Sequence, residues 1–297
     1  MAEEQSSITF NDVLFATDFS SASMTAFPYA LTIADHYHSN LHIAHVIDPE
    51  PFGPLTRESS SKAIDEAHEQ ARQQIEQLFA AHGLQGERFR PIVREGKVVQ
   101  VLLDINRENR IDLVVLGTHG YTKRKKLLLG SVVEEVFRTC PCPVFTIRPR
   151  AASPLTKPEL RHILYLVEFV PDSSPAADYA VSLAEQYGAN LTVMNVREDM
   201  RVAANEVGQI TQPAARWLED HISPGSDLWK RIHLERGFGP VSAAILDFAG
   251  KAAVDLIVIS ARRLDPAMAD HRPHPDTAYE VVSRAQCPVL TIRDSHA

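Results

Sequence analysis

Short apolar runs alternate along this chain with longer segments in which apolar residues recur every three or four positions. In the first half the runs fall near residues 12–17, 41–47, 88–93, 112–117 and 143–148. They are unbroken and partly β-branched, the pattern of parallel strands covered on both faces. Helices are predicted between them, near 20–38, 61–83, 97–109 and 131–139. Ala63, Ala67, Ala71, Ile75 and Leu78 make one helical stripe, and Val98, Val101, Leu102 and Ile105 make another. Strand–helix alternation predicts right-handed crossovers and a doubly wound sheet. Such sheets take ligands at the carboxyl ends of their strands, where strand order reverses.

The pattern occurs twice. VLFATDFS (13–20) matches ILYLVEFV (163–170), and LHIAHV (41–46) matches LTVMNV (191–196), both 150 residues apart. DLVVLG (112–117) matches DLIVIS (255–260) at 143 residues, and CPVFTIR (142–148) matches CPVLTIR (287–293) at 145. Four matches in one order predict a duplication. The helix stripe continues in Val241, Ala244, Ile245 and Phe248. The Pro-rich stretch 149–160 reads as a linker, giving domains 1–150 and 151–297, in keeping with a length of 297 residues.

Composition narrows the class. Hydrophobic residues make up 44% and charged residues 23%, ordinary for a globular protein. The apolar runs are too short to span a bilayer. The opening MAEEQSSITF has no secretory pattern, and three cysteines cannot build a disulfide framework. A cytoplasmic location and no membrane partner are expected. The net charge of −8 disfavours nucleic acid as a partner.

The candidate chemistry follows the fourth strand. Gly117-Thr118-His119-Gly120 is followed, nine residues on, by Gly130-Ser131. Gly117 and Gly120 would let backbone approach a ligand and permit positive φ. Gly130-Ser131 opens a helix, with Ser131 a candidate N-cap, and a helix N-terminus suits phosphate. Asp18 follows the first strand, where it either caps the next helix or meets a ligand. The run Lys123-Arg124-Lys125-Lys126 is either a solvated loop or a neutralising group for phosphates.

These residues resemble the universal stress protein family in its tandem two-domain form, and in the first half its ATP-binding branch. The resemblance covers about 10–148 and 160–293. It implies two Rossmann-like (adenine nucleotide alpha hydrolase-like) α/β domains, each a five-stranded parallel sheet flanked by helices. It implies an ATP site built from Thr17, Asp18, Val46, Leu116, Gly117, Thr118, His119, Gly120, Gly130, Ser131 and Val132. In that site Asp18 meets the nucleoside, the Val46 backbone meets adenine, and the glycines and Ser131 line ribose and phosphates. Mg²⁺ is implied with the triphosphate. The resemblance also implies that the last strands, 143–148 and 288–293, pair the halves as an internal pseudo-dimer; a homodimer is left open.

The second half departs from the motif. Ser260 stands for Gly117, Arg263 for Gly120, Pro275 for Gly130, Asp276 for Ser131 and Glu168 for Asp18. A proline has no N–H and an acidic helix start repels phosphate, so no ATP is expected there. Gly237-Phe238-Gly239-Pro240-Val241-Ser242 lacks the third glycine of a dinucleotide fingerprint; it reads as a strand-to-helix turn with Pro240 at the first helical position. Cys140 and Cys142 read as buried small residues, and His36, His38, His42 and His45 as scattered surface histidines. No nucleophile or general base stands out. The expected function is an ATP-binding stress-response regulator with an unknown protein partner. A slow ATP hydrolase and a nucleotide-independent interaction scaffold are the alternatives.

Overall fold

The computed structural model describes residues 7–49, 57–118, 129–148, 158–167, 175–197, 211–261 and 277–293. They form two compact units, Phe10–Pro158 and Glu159–Ala297, the latter joined by the opening residues.

In the first unit β1 (Asp12–Ala16) leads to the short α1 (Ser21–Met24) and to α2 (Phe27–Tyr37). Then follow β2 (Asn40–Ile47), α3 (Arg57–His82), β3 (Phe89–Glu95), α4 (Val98–Asn109), β4 (Leu113–Gly117), α5 (Ser131–Thr139) and β5 (Val144–Ile147). The sequence predicts one helix over 20–38; the chain makes two. Pro28, near the start of α2, has no N–H to offer the preceding turn, and the helix restarts. The strand order is β3-β2-β1-β4-β5, and the described pairs are parallel. The order reverses between β1 and β4. Leu14, Phe15, Leu41, Ile43 and Leu113 are fully buried in the sheet, and Ala71, Ile75, Val101, Leu102 and Ile105 bring the helix stripes onto it.

The second unit repeats the plan with β6 (His162–Leu166), α6 (Pro175–Tyr187), β7 (Asn190–Arg197), α7 (Thr211–His221), a 3-10 turn (Asp227–Lys230), β8 (Ile232–Phe238), α8 (Val241–Lys251), β9 (Leu256–Ala261), α9 (Thr277–Arg284) and β10 (Val289–Arg293). Its order is β8-β7-β6-β9-β10, again with parallel pairs. Ile163, Leu164, Leu191, Leu256 and Ile257 form its core. Residues 7–9 lie with this unit, where Ile8 N–H donates to Ser182 Oγ (2.9 Å) and Gln186 Nε2 donates to the Ile8 carbonyl (2.8 Å). Both units are Rossmann-like. Among the described residues no helix is long and apolar enough to cross a membrane.

The strand-to-helix turn expected at Gly239 is present. Gly239 has φ +94° and its counterpart Gly96 has φ +142°, both in the left-handed half that glycine tolerates. Pro240 is the N-cap of α8 rather than its first residue.

The two outer strands differ. The bonds Leu41 N–H to Arg88 C=O and Gly96 N–H to Ile47 C=O turn the even-numbered residues of β3 inward. Pro91 therefore presents its missing N–H outward. At the matching place in β8 stands Leu234, 50% exposed, with Phe238 at 42%.

Candidate functional site

The carboxyl end of β1 carries Thr17-Asp18-Phe19-Ser20, and every residue of this turn is tied. Thr17 N–H donates to the Ala44 carbonyl on β2 (2.9 Å). Thr17 Oγ1 accepts Phe19 N–H (2.9 Å) and lies 2.9 Å from Ser23 Oγ. Asp18 Oδ1 accepts Ser20 N–H (3.0 Å). Ser20 Oγ accepts Ser23 N–H (3.1 Å) and is the N-cap of α1. The cap is thus Ser20, and Asp18, half-buried beside it, closes the turn before it. Phe19 sits at φ 56°, a left-handed conformation that costs a bulky residue and marks a tightly held segment.

His45, on β2, completes this ring of ties. Its Nδ1 lies 2.9 Å from the Thr17 carbonyl, and its ring lies 5.0 Å from that of Phe19 at 34°. A carbonyl only accepts, so Nδ1 carries the proton. The ladder between β1 and β2 ends at Ala16 and Ala44. Backbone alternation points the N–H and C=O of the next inward residue, Val46, towards the β1 side, past that last rung. The Val46 donor and acceptor, half-buried, therefore lie past the last rung of the β1 ladder.

On the other side of β1, β4 ends in Leu116-Gly117-Thr118. Gly117 is not a positive-φ position, contrary to the sequence expectation; a Cβ there would lie 2.6 Å from the Ala22 carbonyl and 2.7 Å from Ser23 Cα. The room that glycine leaves is filled by the backbone of α1. Thr118 N–H donates to the Ile147 carbonyl (2.8 Å), and the Thr118 carbonyl accepts Gly130 N–H (3.0 Å). That last bond brings the start of α5 against the tip of β4. Gly130 is the N-cap, at φ −61° and ψ 144°, so Ser131 is the first helical residue and not the cap. The first intrahelical bond runs from Glu134 N–H to the Gly130 carbonyl (2.9 Å). The N–H groups of Ser131, Val132 and Val133 precede it and carry the positive end of the helix dipole.

The structure thus gathers Thr17, Asp18, Val46, Leu116, Gly117, Thr118, Gly130, Ser131 and Val132 around the point where strand order reverses. His119, Gly120 and Lys123-Arg124-Lys125-Lys126 lie outside the described residues. So do Glu168, Arg263, Pro275 and Asp276 of the second copy. Ser260 lies on β9 at the place Gly117 holds on β4.

Two of the four histidines read as surface residues are not. His42 is fully buried, with Nε2 2.8 Å from Asp12 Oδ1, and among the described residues its Nδ1 has no partner. His45 belongs to the site. Its signal lay in the repeat, which sets it opposite Asn195, another donor. His36 and His38 are exposed as expected. Cys140 is buried as expected, whereas Cys142 is half-buried; its Sγ accepts from Asn106 Nδ2 (3.0 Å) and lies 3.5 Å from Cys140 Sγ. The hydrogen bond with Cys140 and burial push the Cys142 thiol well above its ordinary pKa. Among the described residues no group of three or more His, Cys, Asp and Glu could hold a metal.

The universal stress protein family model matches residues 9–148 and again 159–293. The chain belongs to the universal stress protein family. It is a tandem member, with one family domain in each half. A universal stress protein of Methanocaldococcus jannaschii is 27% identical over 140 residues, 47% of this chain and 82% of that protein. One of Bacillus subtilis is 28% identical over 154 residues, 47% of this chain and 99% of that protein. Each of these relatives therefore corresponds to half of the tandem protein. The crystal structure of a universal stress protein from Archaeoglobus fulgidus aligns with 95% of this chain and 98% of its own, with a TM-score of 0.67 and 20% identity. At that identity the likeness is one of fold.

Proposed function

We propose that this universal stress protein binds ATP in its first domain and acts as a nucleotide-dependent regulator of the stress response in the cytoplasm. The observation that carries the reading is the Gly130 N–H to Thr118 carbonyl bond (3.0 Å). It sets the unshared N–H groups of α5 at the tip of β4, across β1 from the free backbone edge of Val46. A helix start of this kind suits phosphate oxygens. A paired donor and acceptor on one backbone residue suits the amino and ring-nitrogen edge of adenine. In this reading Val46 holds the base, and Thr17 and Asp18 meet the nucleoside. Leu116, Gly117, Thr118, His119, Gly120, Gly130, Ser131 and Val132 line ribose and phosphates. Mg²⁺ would be held chiefly by phosphate oxygens, the usual habit of this ion.

Titration calorimetry with ATP and Mg²⁺ tests the reading. One site per chain is expected. Two sites would overturn the assignment to the first domain alone, and none would overturn the function. Gly130→Glu should lose ATP while keeping its thermal midpoint, because φ −61° suits any residue and the new carboxylate sits at the helix start. Unchanged affinity in this variant would remove α5 from the site.

A further inference from the structure

We propose that His45 is the positioning residue of the nucleotide site, ending the β1–β2 ladder one rung early so that the Val46 N–H stays available. The inference rests on the ATP reading for its consequence, but not for its geometry. In a parallel ladder the rung after Thr17 N–H to Ala44 C=O is Val46 N–H to Thr17 C=O. That rung is not made: the ladder stops at Ala16 and Ala44. The Thr17 carbonyl takes the imidazole Nδ1–H of His45 instead, at 2.9 Å. A buried carbonyl needs a donor, and here a side chain supplies it in place of the backbone.

The second domain repeats the device with a different residue. Val167 N–H donates to the Met194 carbonyl (2.9 Å), the counterpart of Thr17 and Ala44. The β6–β7 ladder ends at Leu166 and Met194. Asn195, 150 residues after His45, donates Nδ2–H to the Val167 carbonyl at 2.9 Å. Imidazole and carboxamide share little in shape or charge. What both copies keep is one N–H donor aimed at one carbonyl. In the first copy the ring also rests on Phe19, whose left-handed conformation belongs to the turn that carries Asp18. His45 therefore governs both the free edge at Val46 and the approach of Asp18.

Two full-length variants separate the donor from the ring. His45→Phe keeps an aromatic ring against Phe19 and loses the donor; His45→Asn keeps the donor, as Asn195 does. His45→Asn should bind ATP within about threefold of wild type, and His45→Phe should bind about tenfold more weakly, the scale of one lost hydrogen bond. Amide exchange gives a second readout without nucleotide: the Val46 N–H should exchange quickly in wild type and His45→Asn, and become protected in His45→Phe as the ladder closes. Wild-type affinity and exchange in His45→Phe would overturn the proposal, as would equal losses in both variants. If His45→Phe does not fold, ¹⁵N spectra of the wild-type ring decide. A neutral ring protonated at Nδ1 supports the tie, and one protonated at Nε2 overturns it. Wild-type protein that binds no ATP would defeat the functional reading alone, because exchange and tautomer still test the tie.

Discussion

At the amino ends of the strands the two copies do the same work with the same atoms. Asp112 Oδ2 accepts the N–H groups of Asn11 (2.7 Å) and Asp12 (3.0 Å); Asp255 Oδ2 accepts those of Arg161 and His162, both at 2.9 Å. Arg88 reaches the Ala34 carbonyl at the end of α2, and Arg231 reaches the Ala184 carbonyl near the end of α6, both at 3.4 Å. At the carboxyl ends the copies part: Ser260 replaces Gly117, and Asn195 replaces His45. Backbone groups that must be satisfied in any copy of the fold are satisfied alike. Side chains around the strand tips of the candidate site are where the copies differ. Even a buried polar pair can change so long as its place is kept, since Asp12–His42 in one copy becomes His162–Thr192 in the other.

This contrast can be broken. The largest effect is expected at Gly117→Ala. Its Cβ meets helix backbone rather than a flexible side chain, so α1 must move, at about 1–3 kcal/mol. Ser260→Ala removes an atom rather than adding one, so it should cost less than Gly117→Ala. Urea melts of both variants measure this, and a neutral Gly117→Ala would mean that α1 does not pack as described. Next come Asp112→Ala and Asp255→Ala. Each strips the acceptor from two backbone N–H groups, and each should cost about 1–2 kcal/mol. Unequal losses would show that the amino ends are not equivalent. The smallest effect is at Cys142, whose raised pKa keeps the thiol protonated. Native protein should resist iodoacetamide there even at about pH 9, where an ordinary cysteine is largely thiolate. Mass spectrometry before and after denaturation checks it, and rapid native labelling would contradict the packing of this thiol against Cys140 and Asn106.

The fold was legible because burial writes itself into periodicity. The runs at 12–17 and 112–117 are apolar at successive positions, as a strand covered on both faces must be, and the stripe through Ile75 and Leu78 is what one helix face needs. The break at Thr25-Ala26 was less so, because it depends on a single missing N–H at Pro28 inside an otherwise helical pattern. In the candidate site, the glycine spacing pointed to the tip of β4, but Gly117 makes room for α1 and does not take a positive φ. His45 was missed outright. Its tie depends on a carbonyl 28 residues away, and composition shows only one histidine among thirteen.

The unequal outer strands bear on how the molecule behaves in a crowd. Pro91 blunts β3, because a neighbour's strand laid against it finds no donor at that point. β8 offers the N–H of Leu234 and two exposed apolar side chains instead. In concentrated solution, or during folding, pairing between molecules should start at β8, so the protein's colloidal behaviour should be set by its second copy.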